Sequence, residues 1–333
     1  MKRTISFFMG GLVLLTLFCF CGCTNTETPL REQECYFSFT GMDAAESDVL
    51  EASVFQYDFT DHTISSVYQF PVSAMYALGV YDKGTNSVFY VKEANNNSSV
   101  RKRTGDEIFV RDLSTGAETQ LTNDLLAVNH LIPVDNILFF IAARQSNPYS
   151  LVLGRIDLTS GEIQYWDEPE TISTRLISVD RQQKRVYVAL YNVLEEDQTM
   201  IEGEGRTPTH TICSYDYDLK NKEVVLEKEA MAVKALDASD NFLFYTAVSS
   251  SLSTAPGITT TQKIDLRTGD ILFETEDYFP GGTCLSKDQK GLYVLTSVND
   301  LEGIYYFDFE TQTYSLVTDC GPDVVINYQL LYS

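Results

Sequence analysis

The chain has 333 residues, with 47 Asp and Glu against 24 Lys and Arg, three His, one Trp and a hydrophobic content of 44%. That much apolar material builds a globular core and excludes wholesale disorder. A net charge of −23 opposes any phosphate backbone and excludes nucleic acid as a partner.

The chain opens with Lys2 and Arg3, then an apolar run that stops at Cys21-Gly22-Cys23 and passes at once into the polar stretch TNTETP. Cations, an apolar stretch of this length and small residues at its end are the layout of an export signal. A lasting membrane span needs about 20 apolar residues with sustained flanks. Phe20, Cys21, Gly22 and Cys23 resemble the bacterial lipobox. The resemblance implies a signal peptide over residues 1–22 and diacylglyceryl attachment to the Cys23 thiol after cleavage. It also implies a tether over residues 23–34 and an extracytoplasmic location on a bacterial cell membrane. Several palmitate-type acyl chains anchor stably where one chain is marginal. Loss of Lys2 and Arg3 with the leader leaves 22 cations against 47 acids, a net charge of −25. Beyond Cys23 the mature chain has Cys35, Cys213, Cys284 and Cys320, enough for two disulfides, although buried free thiols suit the topology better.

From residue 35 onward a unit recurs six times: an apolar run, an Asp followed by Leu or Phe, a turn and a second run. It reads VFQYDFTDHTISSV, IFVRDLSTGAETQL, LGRIDLTSGEIQYW, SYDYDLKNKEVVLE, TQKIDLRTGDILFE and YYFDFETQTYSLV, with the Asp at 58, 112, 157, 218, 265 and 308. Spacings of 54, 45, 61, 47 and 43 residues are those of a repeat architecture. Each unit predicts a hairpin in which the Asp carboxylate caps the turn backbone. A second hairpin precedes most of them, as in LIPVDNILFFI and ALDASDNFLFYTAV, so each period supplies four strands, A to D. Residues 75–319 then hold five complete units. Three strands precede them and one follows. One C-terminal strand joining three N-terminal strands makes a sixth blade, so residues 35–333 are predicted to form an all-β, six-bladed β-propeller with its ring closed by both termini.

Ser286, Asp288, Gly291, Leu292 and Tyr293, with Asp265, Leu266, Thr268 and Gly269, resemble the TolB-like propeller repeat. Asn136, Lys222 and Gln312 depart from it at turn glycines. The resemblance implies fold and carries little function.

No G-x-S-x-G, H-x-x-x-H or D-x-D-x-D-G pattern occurs, and no motif calls for a cofactor or metal. The long insertions all fall between strands B and C, in blades one, two, four and five. They define one face, the top, as the predicted binding surface. Aligning the A strands on their turn Asp brings His130 and Arg175 to one position and Lys234 to a place one residue out of register. Three adjacent blades would present a cationic arc suited to a carboxylate or phosphate. The competing reading makes His130 a satisfied interior residue and pairs the cations with acids such as Asp237. The function expected is a non-enzymatic binding or scaffold module for an unknown protein or carbohydrate ligand. The alternative is a surface polysaccharide hydrolase or lyase with its site at the channel mouth, since paired carboxylates can cleave glycosides.

Overall fold

The computed structural model describes residues 35–42, 50–74, 76–94, 105–202, 207–249, 257–279, 282–319 and 324–332. Blade one contains β1 (Cys35–Met42), β2 (Glu51–Asp58) and β3 (Thr63–Pro71), and blade two β4 (Gly79–Asp82), β5 (Ser87–Glu93), β6 (Asp106–Asp112) and β7 (Glu118–Gln120). Blade three contains β8 (Leu125–Val134), β9 (Ile137–Arg144), β10 (Asn147–Asp157) and β11 (Ile163–Tyr165). Blade four contains β12 (Ile172–Asp180), β13 (Arg185–Asn192), α1 (Val193–Glu202), β14 (His210–Asp216) and β15 (Glu223–Lys228). Blade five runs through β16 (Ala232–Ser239), β17 (Phe242–Val248), β18 (Thr259–Asp265) and β19 (Ile271–Thr275). Blade six has β20 (Cys284–Leu285), β21 (Gly291–Val298), β22 (Leu301–Asp308) and β23 (Thr313–Asp319), after which β24 (Val324–Tyr332) returns to blade one.

Six four-stranded antiparallel sheets result, and the order β24-β1-β2-β3 closes the ring as the repeat phase predicts. β24 pairs along the whole of β1, from Cys35 opposite Tyr332 to Met42 opposite Val324. Among the described residues no helix is long and apolar enough to cross a membrane. Cys213 is a buried free thiol. Cys23, the leader and tether, Cys320 and most of the long B–C insertions lie outside the described residues.

The core sits between blades. The B strands β9 and β13, reading ILFFIAAR and RVYVALYN, are buried along nearly their whole length because a neighbouring blade packs on each face. The D strand β7 is exposed throughout. Separate apolar clusters join blades three to four, four to five, five to six and six to one. The last is aromatic, with Phe37 edge-on to Tyr293 at 5.1 Å and Phe59 at 5.5 Å from the same ring. Between blades one and two, Thr40 Oγ1 donates to Gly79 O and accepts from Gly79 N. A Cβ at Gly79 would lie 2.4 Å from Val54, so the close approach needs glycine.

The repeated Asp residues cap turns. Asp112 Oδ1 accepts from Ser114 N and Thr115 N, Asp157 from Thr159 N and Ser160 N, and Asp308 from Glu310 N and Thr311 N. Gly116, Gly161 and Gly269 take the left-handed conformation four residues after the Asp, as do His62 and Gln312. Blade four corrects the alignment. Asp216, not Asp218, pairs with the first residue of strand B and accepts from Asp218 N and Lys220 N. Its turn is one residue tighter, with Leu219 and Asn221 at positive φ, so Lys222 does not hold the glycine position. Asp218 instead forms an ion pair with Arg155 of blade three. The Ser286 turn is structural: its hydroxyl oxygen lies 2.7 Å from Asp288 Oδ1 and accepts from Gly291 N.

Candidate functional site

The three residues of the expected cationic arc stand on A strands that carry β-bulges. Register shifts between Val128 and His130 in β8, between Thr174 and Ile177 in β12, and between Val233 and Ala235 in β16. Lys234 is itself an unpaired bulge residue, as is Arg175, and counted from the last paired residue of each A strand, Asp180 and Ser239, the two fall at the same position. The one-place offset arises because Asp180 ends β12 whereas Asp135 and Asp240 lie within two-residue turns. A bulge re-aims the side chain it carries.

Arg175 and Lys234 line one cavity of about 180 Å³ at the junction of blades four and five. Its walls include Glu196 of α1, Thr207 and Pro208 at the end of the same insertion, His210 at the start of β14, and Leu176 and Val233. Apart from Leu176, at the middle of β12, these residues stand at or beyond the top-face ends of their strands. His130 stands beside this cavity and does not line it: its Nε2 donates to Arg175 O at 2.9 Å. Burial pushes the His130 ring below the usual imidazole range. The arc is thus a pair of cations with a satisfied histidine behind it.

Arg175 Nη2 meets Glu196 Oε2 at 3.0 Å, and its guanidinium lies 5.0 Å from the centre of the Tyr191 ring. Lys234 has no hydrogen-bond or ion-pair partner among the described residues. Burial first, then Arg175, push its ammonium down. His210 is stacked flat on Tyr191, with ring centres 5.1 Å apart and planes 9° apart. Its Nδ1 accepts from Val233 N at 3.2 Å, which places the ring proton on Nε2. Burial, Lys234 and Arg175 together push His210 down to about 4, so the ring is neutral at pH 7 and offers a donor without charge. Thr207 Oγ1 donates to Ser249 O.

Asp237 does not pair with these cations. Its carboxylate accepts from Ser178 Oγ of blade four and from Leu285 N of blade six at 2.6 Å, tying three A strands together. Burial pushes it up to about 6. Glu196 escapes sequence reasoning because it lies in an insertion outside the repeat, and Tyr191 and His210 escape it because they stand on the B and C strands that flank that insertion, whereas the alignment compared A strands. The scarcity of histidine was the available signal for His210.

A wider feature of this face is apolar. Among the described residues the exposed large hydrophobics Leu50, Tyr76, Tyr149, Leu194, Ile258, Tyr278 and Leu301 lie in or beside the B–C and D–A connections of the top. The remainder, such as Val224 and Leu316, lie on outer D strands, and the bottom turns carry none. Tyr149 is 86% exposed.

No family model matches the chain, and no curated protein matches it. Solved structures do. TolB from Acinetobacter baumannii, a six-bladed propeller, superposes with a TM-score of 0.58 at 13% identity, over 90% of this chain and 67% of that one. A chain in the crystal structure of a nidogen/laminin complex superposes with a TM-score of 0.56 at 10% identity, over 89% of this chain and 98% of that one. At such identities the likeness is one of fold, a TolB-like six-bladed propeller.

Proposed function

We propose that this protein is a non-enzymatic binding or scaffold module, held by lipid at Cys23 on the outer face of a bacterial membrane and engaging its partner through the top face. One observation carries the recognition part of that reading: the apolar rim formed by Tyr76, Tyr149, Ile258 and Tyr278 has no counterpart on the bottom turns. Isolated exposed apolar residues are ordinary, but a set gathered on one rigid face marks an interaction surface. The acidic charge of the domain fits a partner reached in solvent above an anionic lipid surface, which would repel it.

Two experiments test the reading. A photo-crosslinking amino acid at Tyr149 is expected to yield a discrete adduct in intact cells, and the same group at Thr159 on the bottom is not. Equal adducts from both positions would defeat the assignment of faces. Cys23→Ser is expected to abolish lipid labelling and release the protein from the membrane fraction; retained labelling would overturn the anchor.

A further inference from the structure

The cavity between blades four and five goes beyond a general docking face, and its charges specify a ligand class. Arg175 and Lys234 supply two positive charges and Glu196 one negative, while His210 is neutral at pH 7. Glu196 is spent on Arg175. Among the described residues the Lys234 ammonium has no hydrogen bond or ion pair, and it acts on the His210 ring, whose proton is on Nε2. Leu176, Ala189, Pro208, Ala232 and Val233 give the cavity apolar walls around that polar end.

We propose that this cavity binds the carboxylate of a small monoanionic ligand, with Lys234 and His210 as its donors and Glu196 as the gate against dianions. The proposal rests on the top face being a recognition surface. A carboxylate matches one ammonium in charge and accepts from two donors at once. A phosphate dianion would bring twice that charge into a partly desolvated space already holding the Glu196 carboxylate, and like charges at such range are costly. The Glu196–Arg175 pair also demonstrates within the protein that this cavity accepts a carboxylate. The same chemistry is offered by the uronic acid of a polysaccharide and by the free carboxyl end of a peptide.

The test uses the purified full chain in mild detergent, titrated by calorimetry and followed by the His210 side-chain NMR signals. The probes are D-glucuronate, acetyl-Ala-Ala with a free carboxyl group, the same peptide amidated, and inorganic phosphate. Glucuronate or the free-acid peptide is expected to bind and shift the His210 signals, and which of the two binds identifies the source. The amidated peptide and phosphate are expected to leave those signals in place. Lys234→Met, which keeps the stem and removes the charge, is expected to weaken carboxylate binding at least tenfold with an unchanged melting temperature. Glu196→Gln is expected to raise phosphate affinity at least tenfold, a gain that mere loss of structure cannot mimic. Absence of binding by both carboxylates, phosphate binding as strong as theirs, or affinity unmoved by Lys234→Met would overturn the proposal. Crosslinking at Tyr149 reports on the docking face independently, so either idea can fail without the other.

Discussion

Asp216 and Asp218 sit two residues apart at the end of one strand and do different things. Asp216 accepts two backbone N–H groups and the Asn221 side-chain amide, whereas Asp218 is an exposed acid paired with Arg155. Asp216→Ala is therefore expected to cost about 1–2 kcal/mol, since it orphans turn donors. Asp218→Ala is expected to cost less than about 1 kcal/mol, as exposed ion pairs do. Urea midpoints of the two variants check the ranking, and equal losses would restore the sequence alignment. That alignment went to Asp218 because an Asp-Leu pair recurs in the repeat, and nothing in the letters SYDYDL announces a turn one residue shorter. Arg175 and Lys234 were legible for the opposite reason: they belong to repeated A strands, where position in the repeat translates into position around the axis. Glu196 belongs to an insertion, whose placement depends on tertiary packing that no repeat encodes.

The hairpin was the most readable element, because its chemistry is local: a carboxylate at one position and a left-handed residue four later. Where glycine is missing, the backbone conformation persists. Gln312 has a φ of 54° and His62 one of 57°, a region that costs residues with a Cβ roughly 1–2 kcal/mol. Gln312→Gly is expected to stabilise the protein by about 0.5–1 kcal/mol, the relief being partly offset by the greater freedom of glycine when unfolded. His62→Gly is expected to gain nothing, because His62 Nδ1 is hydrogen-bonded to Tyr57 OH at 2.9 Å, and Tyr57 belongs to the aromatic cluster joining blades six and one. Thermal melts of the two variants separate these outcomes; an equal gain in both would mean that the His62 contact carries no weight. The bulges were not readable in advance. No residue type in the A strands marks them, and the one-residue offset of Lys234 reflects the longer turn after Asp180 and not a bulge.

At the scale of the whole ring, two kinds of buried titratable group oppose each other. Glu107, which accepts from Thr122 Oγ1 and Leu125 N at the junction of blades two and three, is pushed by burial up to about 7, and Asp237 up to about 6. A carboxyl with a raised folded value binds its proton more tightly folded than unfolded. Its contribution to stability is therefore present in acid and lost as pH rises through that value. His210, pushed down to about 4, and His130, also pushed down, act in reverse: the unfolded imidazoles take up protons first, so stability is lost as pH falls below about 6.5. The two sets therefore oppose each other between pH 8 and 5. Protonation also relieves self-repulsion in a chain of net charge −23, but that relief is common to wild type and to single variants. The informative quantity is thus a difference. Glu107→Gln removes one arm of the balance, so its stability is expected to fall by about 2 kcal/mol relative to wild type on going from pH 8 to pH 5, whatever its offset at pH 8. Urea unfolding at a series of pH values reads this directly. Parallel profiles for the two proteins would mean that the Glu107 carboxyl keeps an ordinary value in the fold, and that the junction it occupies is open to water.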